Sequence, residues 1–93
     1  MYLESFEPSK TKKYKVVFRL DNNKTKTIHF GAKGAGDFTQ HKSEKLKQAY
    51  IARHSVNEDF NNPLTAGALS RWILWNKTTI KDSLSDFKRR FNL

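Results

Sequence analysis

The sequence predicts a small α+β domain, with an N-terminal β-hairpin followed by about three helices. Two early runs of the chain alternate apolar and polar residues, and later stretches carry apolar residues at helical spacing. The length of 93 residues is that of a single domain. Because an isolated hairpin is marginally stable, we expect the helices to pack on it. The domain is predicted to span residues 13–93.

Residues 1–12 are predicted to form a flexible arm with a basic end. The segment has no periodic apolar pattern and leads into the lysine-rich run at residues 10–13. Its apolar residues are Tyr2, Leu3 and Phe6. These three leave open that the arm becomes ordered on a partner.

The hairpin is predicted from a period of two. Tyr14 to Leu20 alternate about a buried face, and Lys24 to Phe30 form a second such run. The three residues between the runs form the loop, with Asn23 in a left-handed conformation. This register places Val16 opposite Ile28.

The outward side of this hairpin, called the hairpin face below, is predicted to be basic. It contains Lys15, Arg19, Thr25, Thr27 and His29, and is extended by Lys12, Lys13 and Lys33. A solvated sheet surface and a surface that contacts a polyanion both fit this composition.

The helices are predicted from capping residues and apolar spacing. The first, capped by Asp37 or Thr39, is expected to run to about His54. The second is expected to begin at Pro63 after Asn62 and to end near Trp75. Its apolar stripe contains Leu64, Ala68, Trp72 and Trp75, and Gly67 would allow close approach of another backbone.

The last helix has the clearest amphipathic pattern in the chain. Thr79 is the predicted first cap, and Asp82 suits the positive end of the helix dipole. The apolar residues that follow are Ile80, Leu84, Phe87 and Phe91. Lys88, Arg89 and Arg90 end the helix, where cations suit the dipole and are also free to bind phosphates.

The glycine-rich segment HFGAKGAGDFT raises the question of a phosphate-binding loop. Its glycines at 31, 34 and 36 do not have the spacing of a dinucleotide fingerprint, and Asp37 stands where a P-loop needs lysine. A looser anion nest with Lys33 remains open beside a purely structural bend.

Catalytic chemistry has little support in the sequence. The chain has no cysteine and no serine in a glycine elbow, and its three histidines, His29, His41 and His54, follow no metal-binding spacing. We therefore predict that the protein is not an enzyme and holds no metal or cofactor. A metal-dependent nuclease with a role for His41 or His54 is the least favoured alternative.

The net charge of +9 is the strongest indication of function. Residues 10–33 contribute +7 and residues 65–93 contribute +4, while residues 1–9 contribute −2. A field of this kind attracts polyanions such as nucleic acid. The longest strongly apolar run, Trp72 to Trp75, is too short to cross a membrane, so no membrane insertion is expected.

Four segments of the chain resemble a known family: HFGAKGAGDFTQHK, YIARH, NPLTAGALSRWILWNK and KRRFNL. In this order and at these separations they are similar to uncharacterised small basic proteins of large double-stranded DNA viruses of algae and amoebae. The resemblance covers about residues 14–93. It implies a viral setting, in the virion and in the host nucleus or cytoplasm during infection, and it brings no established site residues.

These observations predict a non-enzymatic, sequence-independent nucleic-acid-binding protein that is associated with the virus particle. The partner is nucleic acid, with DNA favoured, bound through its phosphates. The predicted contacts are Lys12, Lys13, Lys15, Arg19, Lys33, Lys88, Arg89 and Arg90. The alternative is a minor capsid or other structural protein whose charge complements acidic viral proteins.

Overall fold

One face of a three-stranded antiparallel sheet is covered by helices in the computed structural model, which describes residues 1–93. The predicted α+β class is confirmed. The strands are β1 (Tyr2–Pro8), β2 (Tyr14–Arg19) and β3 (Thr25–Phe30), in the order β1-β2-β3. The helices are α1 (Phe38–His41), α2 (Glu44–His54), α3 (Ala66–Leu69), a π-helical turn (Ser70–Leu74) that continues α3, and α4 (Ile80–Arg90).

The prediction of a flexible arm is wrong for β1, which pairs with β2 along its length. A bulge between Leu3 and Ser5 shifts the register by one residue. Because strand side chains alternate between faces, two residues three apart normally point to opposite sides. The bulge brings both Leu3 and Phe6 to the inner face, opposite Phe18 and Val16, and there they pack against the core.

The predicted hairpin of β2 and β3 is confirmed in register and turn. Val16 lies opposite Ile28, and Tyr14 lies opposite Phe30. Asn23 adopts the left-handed conformation with φ of 66°. The alternation therefore determined both the pairing and which side of the hairpin is buried.

The predicted helix up to His54 is two helices separated by Lys42. Asp37 caps α1 by accepting a hydrogen bond from the Thr39 amide at 2.9 Å. Lys42 then takes a left-handed conformation with φ of 57°, which ends α1, and Ser43 caps α2. Only Tyr50 of α2 is buried, so this helix is attached to the domain by a narrow contact.

The next helix begins three residues later than predicted. Asn62 accepts a hydrogen bond from the Leu64 amide at 3.1 Å, and the true cap is Thr65, which accepts from the Ala68 amide at 3.1 Å. After α3 the Trp75 amide bonds the Ser70 carbonyl at 3.1 Å, which is the i→i+5 bond of a π turn.

The last helix agrees with its prediction. Thr79 caps α4 by accepting from the Asp82 amide at 3.1 Å. Phe87 is fully buried, and the other three predicted apolar residues pack against the core: Ile80, Leu84 and Phe91. Spacing of i, i+4, i+7 therefore located the buried face of α4 correctly.

The core lies between the sheet and the layer formed by α3, the π turn and α4. Its buried residues are Val16, Phe18, Phe30, Leu69, Ile73, Leu74 and Phe87. Trp72 and Trp75 are partly buried and pack against this cluster, as predicted. No helix combines the length and apolar character that crossing a membrane requires.

Gly31 and Gly34 provide a test of how tightly the glycine-rich loop is packed. Both have positive φ, 84° and 82°, but a Cβ at Gly31 would lie 2.8 Å from Leu74 Cδ1 and 3.1 Å from Lys13 Cβ, whereas one at Gly34 would meet nothing within 4 Å. We expect Gly34→Ala to lower the free energy of unfolding by about 1 kcal/mol, through backbone strain alone. Gly31→Ala should cost at least about 1 kcal/mol more, because its neighbours must move. Denaturant unfolding measures both, and equal losses would contradict this packing.

Candidate nucleic-acid interface

The hairpin face is largely neutralised by the acids of β1. Glu4 accepts two hydrogen bonds from Arg19, 2.7 Å from Nη2 and 3.2 Å from Nε, and these bonds raise the pKa of the guanidinium. Glu7 Oε1 lies 3.7 Å from Lys15 Nζ. Two of the predicted phosphate contacts therefore already have carboxylate partners. The sequence alone does not indicate this pairing, because residues 1–12 carry no regular strand pattern.

Lys13 points into the protein and not toward solvent. Its Nζ lies 2.5 Å from Asp37 Oδ2, and the two side chains are 12% and 4% exposed. Asp37 also caps α1, so this ion pair joins the turn after β1 to the start of the first helix. Breaking a buried pair leaves an uncompensated charge, so Lys13 acts as a structural residue.

A cleft of about 590 Å³ opens beside this ion pair. Four segments surround it: the turn between β1 and β2, the end of β3 with the loop after it, the end of α2 with the loop after it, and α3 with the π turn. Lys12 and Arg53 line it, and both are exposed without a carboxylate partner. A smaller cavity shares Lys13 and Asp37 with the cleft and is lined by Lys33. We call Lys12, Lys33 and Arg53 the rim cations.

Lys33 holds the glycine-rich loop against the neighbouring turn. Its Nζ donates to the Lys10 carbonyl at 2.7 Å, while no carboxylate pairs with its charge. The Lys12 amide in the same turn donates to Ser9 Oγ at 3.0 Å. These contacts fix the backbone at Lys12 and Lys33, two of the three rim cations.

Two histidines of the cleft each have one ring nitrogen engaged. His29 Nδ1 lies 2.7 Å from Ser9 Oγ, and His54 Nδ1 lies 3.2 Å from Glu58 Oε1. Neither Nε2 has a partner within the protein. Burial, followed by the nearby charge of Glu58, raises the pKa of Tyr50 to about 12, so this hydroxyl stays protonated at neutral pH.

The close approach predicted at Gly67 is made by a side chain instead of a backbone. A Cβ on Gly67 would lie 2.7 Å from Glu58 Cδ. Glu58 Oε2, which rests against this glycine, is buried without a hydrogen-bond partner. Gly67 therefore leaves room for the carboxylate that holds His54.

A second group of cations lies at the end of α4 and beside it, and we call Arg71, Lys88, Arg89 and Arg90 the C-terminal cluster. Arg89 Nη2 lies 2.5 Å from Asp86 Oδ1, and Arg90 Nη2 lies 3.4 Å from Oδ2. The Arg89 side chain is nonetheless 80% exposed. Because one carboxylate serves two arginines, the cluster keeps a net positive charge.

Two guanidinium groups of this cluster stack over the Trp72 ring. The Arg71 and Arg90 Cζ atoms are 4.2 and 3.7 Å from its ring centroid. Its Nε1 donates to the Phe60 carbonyl at 2.7 Å. With arginines on its ring and its N–H bound to the backbone, Trp72 orders Arg71 and Arg90.

Asp86 is buried, and its neighbours shift its pKa in two opposite directions. Burial would raise its pKa, but hydrogen bonds from Asn76 and Arg89 and the charge of Arg90 outweigh burial and lower the pKa to about 2. Asn76 Nδ2 donates to Asp86 Oδ2 at 2.7 Å. The ionised carboxylate thus joins the segment before α4 to the C-terminal cluster.

The structure separates the predicted contacts into three places. Lys12, Lys13 and Lys33 lie at or beside the cleft, Lys15 and Arg19 lie on the neutralised hairpin face, and Lys88, Arg89 and Arg90 end α4. Sequence reasoning missed Arg53, because α2 has only a weak apolar face and nothing in its pattern shows which side faces a cleft. The four-residue spacing of His54 and Glu58 was the one available signal for their pairing.

The histidines that suggested a metal site have other partners. His41 Nδ1 accepts from the Ser43 amide at 3.0 Å, and the His41 ring centroid lies 5.3 Å from that of Trp75. No group of three or more histidine, aspartate or glutamate side chains is close enough together to hold a metal ion.

The chain belongs to a family of unknown function, DUF5754, whose model matches residues 5–54, more than half of the sequence. A search of curated proteins found no match, and neither did a search of solved structures. The matched segment contains most of the sheet, the glycine-rich loop, α1 and α2. It includes Lys12, Lys33 and Arg53 and ends before the C-terminal cluster.

The low pKa of Asp86 predicts a loss of stability in acid. Because its pKa is about 2 in the folded protein and roughly 3.9 in an unfolded chain, its contribution is present above about pH 4 and is lost as the pH falls toward 2. We expect Asp86→Asn to lower the free energy of unfolding by about 2 kcal/mol at pH 7 and by little at pH 2.

Denaturant unfolding at both pH values measures this difference. Asp82→Asn removes the same charge from an exposed position on the same helix and is the matched control, with an expected cost below about 1 kcal/mol. A cost of Asp86→Asn that does not change with pH would contradict the stabilising role of the ionised carboxylate.

Proposed function

We propose that the protein binds nucleic acid through its phosphates, without catalysis and without sequence preference. The observation that carries the proposal is the distribution of ion pairs. Only six of the 18 lysines and arginines pair with a carboxylate: Lys13, Lys15, Arg19, Lys47, Arg89 and Arg90. The remaining twelve have no carboxylate partner, and Arg89 and Arg90 share a single one, so an excess of positive charge is left for a polyanion. Phosphate contacts of this kind provide affinity that is independent of base sequence.

Two surfaces are proposed to make these contacts. The rim cations form one, and the C-terminal cluster forms the other. Each surface contains a cation whose side chain is held in place, Lys33 by its bond to the Lys10 carbonyl and Arg90 by its stack on Trp72. Anchored cations lose less conformational freedom when they bind phosphate.

The viral setting enters this proposal through the sequence resemblance. In such a setting the protein would accompany the genome in the virus particle. The alternative, a minor capsid or structural protein, rests on a charge that complements acidic proteins and on apolar residues in an arm predicted to be unstructured. Leu3 and Phe6 instead pack against the protein's own core, and Tyr2 is the residue of the three that is exposed. The N-terminal segment therefore does not favour the alternative over nucleic-acid binding.

Salt dependence of DNA binding is the direct test. Fluorescence anisotropy with a labelled duplex of mixed sequence, measured over a series of salt concentrations, should give a linear fall of log affinity with log salt. The slope should be about −0.9 per phosphate neutralised, and a second duplex of unrelated sequence should give the same slope and affinity. Absence of binding at low ionic strength would refute the proposal.

Paired charge removals test where the phosphates are bound. Lys12→Ala with Arg53→Ala should reduce the magnitude of the salt slope by up to about 1.8, because two phosphate contacts are lost. Lys15→Ala with Arg19→Ala removes the same charge from the hairpin face and should change the slope less, since both residues already pair with glutamates. Thermal unfolding controls for stability. A larger effect of the hairpin pair would contradict this assignment of the interface.

A further inference from the structure

The cleft has features that a surface for backbone phosphates does not need. Its volume of about 590 Å³ falls within the range of roughly 300–1,000 Å³ that is typical of small-molecule sites. The exposed Lys12 and Arg53 line it together with apolar side chains, among them Phe30, Ala35 and Leu74, and with the buried Lys13–Asp37 pair and Glu58. An apolar wall beside exposed cations matches a ligand that has a flat apolar part and an anionic part.

The cleft contains unused hydrogen-bond donors that suit the anionic part of such a ligand. Lys12 and Arg53 have no carboxylate partner, and His29 has a free Nε2 beside the nitrogen held by Ser9. The backbone amides of Ala32 and Gly36, which also line the cleft, donate to no other backbone group. Several donors of this kind around one opening are suited to a phosphate group.

The π turn shapes the opposite wall. In an α-helix, Trp75 would be rotated by roughly 140° from Ser70, since each residue turns the helix by about 100°. Because the Trp75 amide bonds the Ser70 carbonyl, the two residues lie on the same side of the turn and both line the cleft. Trp75 then stacks on Tyr50 with ring centroids 4.4 Å apart and planes 5° apart, which closes this wall.

We propose that the cleft binds one nucleotide of a single-stranded nucleic acid, with its phosphate at Lys12 and Arg53 and its base against the apolar wall. This inference rests on the proposed function and gives it a substrate class. A base in a duplex must leave its stack and its pair to enter such a cleft, at a cost of a few kcal/mol, and a base in a single strand does not bear that cost. The cleft therefore favours single strands and unpaired ends over duplex.

Ala66→Glu is the principal test. Ala66 lines the cleft, is exposed and begins α3, where an acidic side chain is compatible with the helix dipole. Ala49→Glu makes the same charge change at an exposed position of α2 outside the cleft and is the matched control. Both variants lower the net charge equally, so a difference between them reports on the cleft.

The experiment measures the affinity of the wild type and both variants for a labelled single strand and for a duplex of equal length. All measurements use one salt concentration. The wild type should bind the single strand more tightly. Ala66→Glu should weaken single-strand binding about tenfold, the effect of losing one good contact, and should weaken duplex binding by a smaller factor. Ala49→Glu should leave the preference unchanged.

Arg53→Ala provides a second variant in case Ala66→Glu fails to fold, with Lys45→Ala on the same helix as its control. Titration of the wild type with dAMP and with inorganic phosphate, followed by NMR, should shift cleft resonances with both and saturate at lower concentration with dAMP. Equal affinity for the two would refute the base contact.

The outcomes separate the two proposals. If the wild type binds single strand and duplex equally, and the cleft variants behave as their controls, the assignment of the cleft fails while the proposed function stands. If the wild type binds neither nucleic acid at low salt, both fail.

Discussion

The antiparallel pairing of β1 with β2 determines how the rest of the molecule is arranged. Without it, β2 and β3 would form a two-stranded hairpin, which needs further packing to be stable. The bulge between Leu3 and Ser5 brings two apolar side chains of β1 to the core, and both glutamates of β1 form ion pairs with cations of β2. The same pairing produces the tight turn that carries Lys12 and Lys13. Core packing, surface charge and the position of the cleft therefore have a common origin.

The regularity of each segment explains which parts of the fold could be predicted. The hairpin register followed from the period of two in the runs that begin at Tyr14 and end at Phe30, and α4 followed from apolar spacing after the Thr79 cap. β1 was missed because Leu3 and Phe6 are three residues apart, which breaks the period of two unless a bulge intervenes. The break at Lys42 and the π turn were missed for a related reason, since each is a one-residue departure from a regular period that propensities do not reveal.

The candidate site was predictable in total charge but not in location. Net charge is a sum over the sequence, whereas the charge available to a partner depends on which cations have acidic neighbours. Glu4 and Glu7 are distant in sequence from Arg19 and Lys15, and only the sheet register places them together. Arg53 shows the opposite case, because it lies in a charge-balanced region and yet faces the cleft without a partner.

The glycine-rich loop now has a physical role that does not depend on any phosphate-loop motif. Gly31 combines positive φ with close contacts to Leu74 and Lys13, so a side chain there would separate the loop from both the core and the turn. This close packing brings Asp37 within reach of Lys13, and the resulting ion pair fixes the start of α1. Beyond Gly31 the loop is exposed, and there it presents Lys33 and free backbone amides. The glycines therefore act by letting the backbone approach the core on one side, which leaves the other side of the loop open as the edge of the cleft.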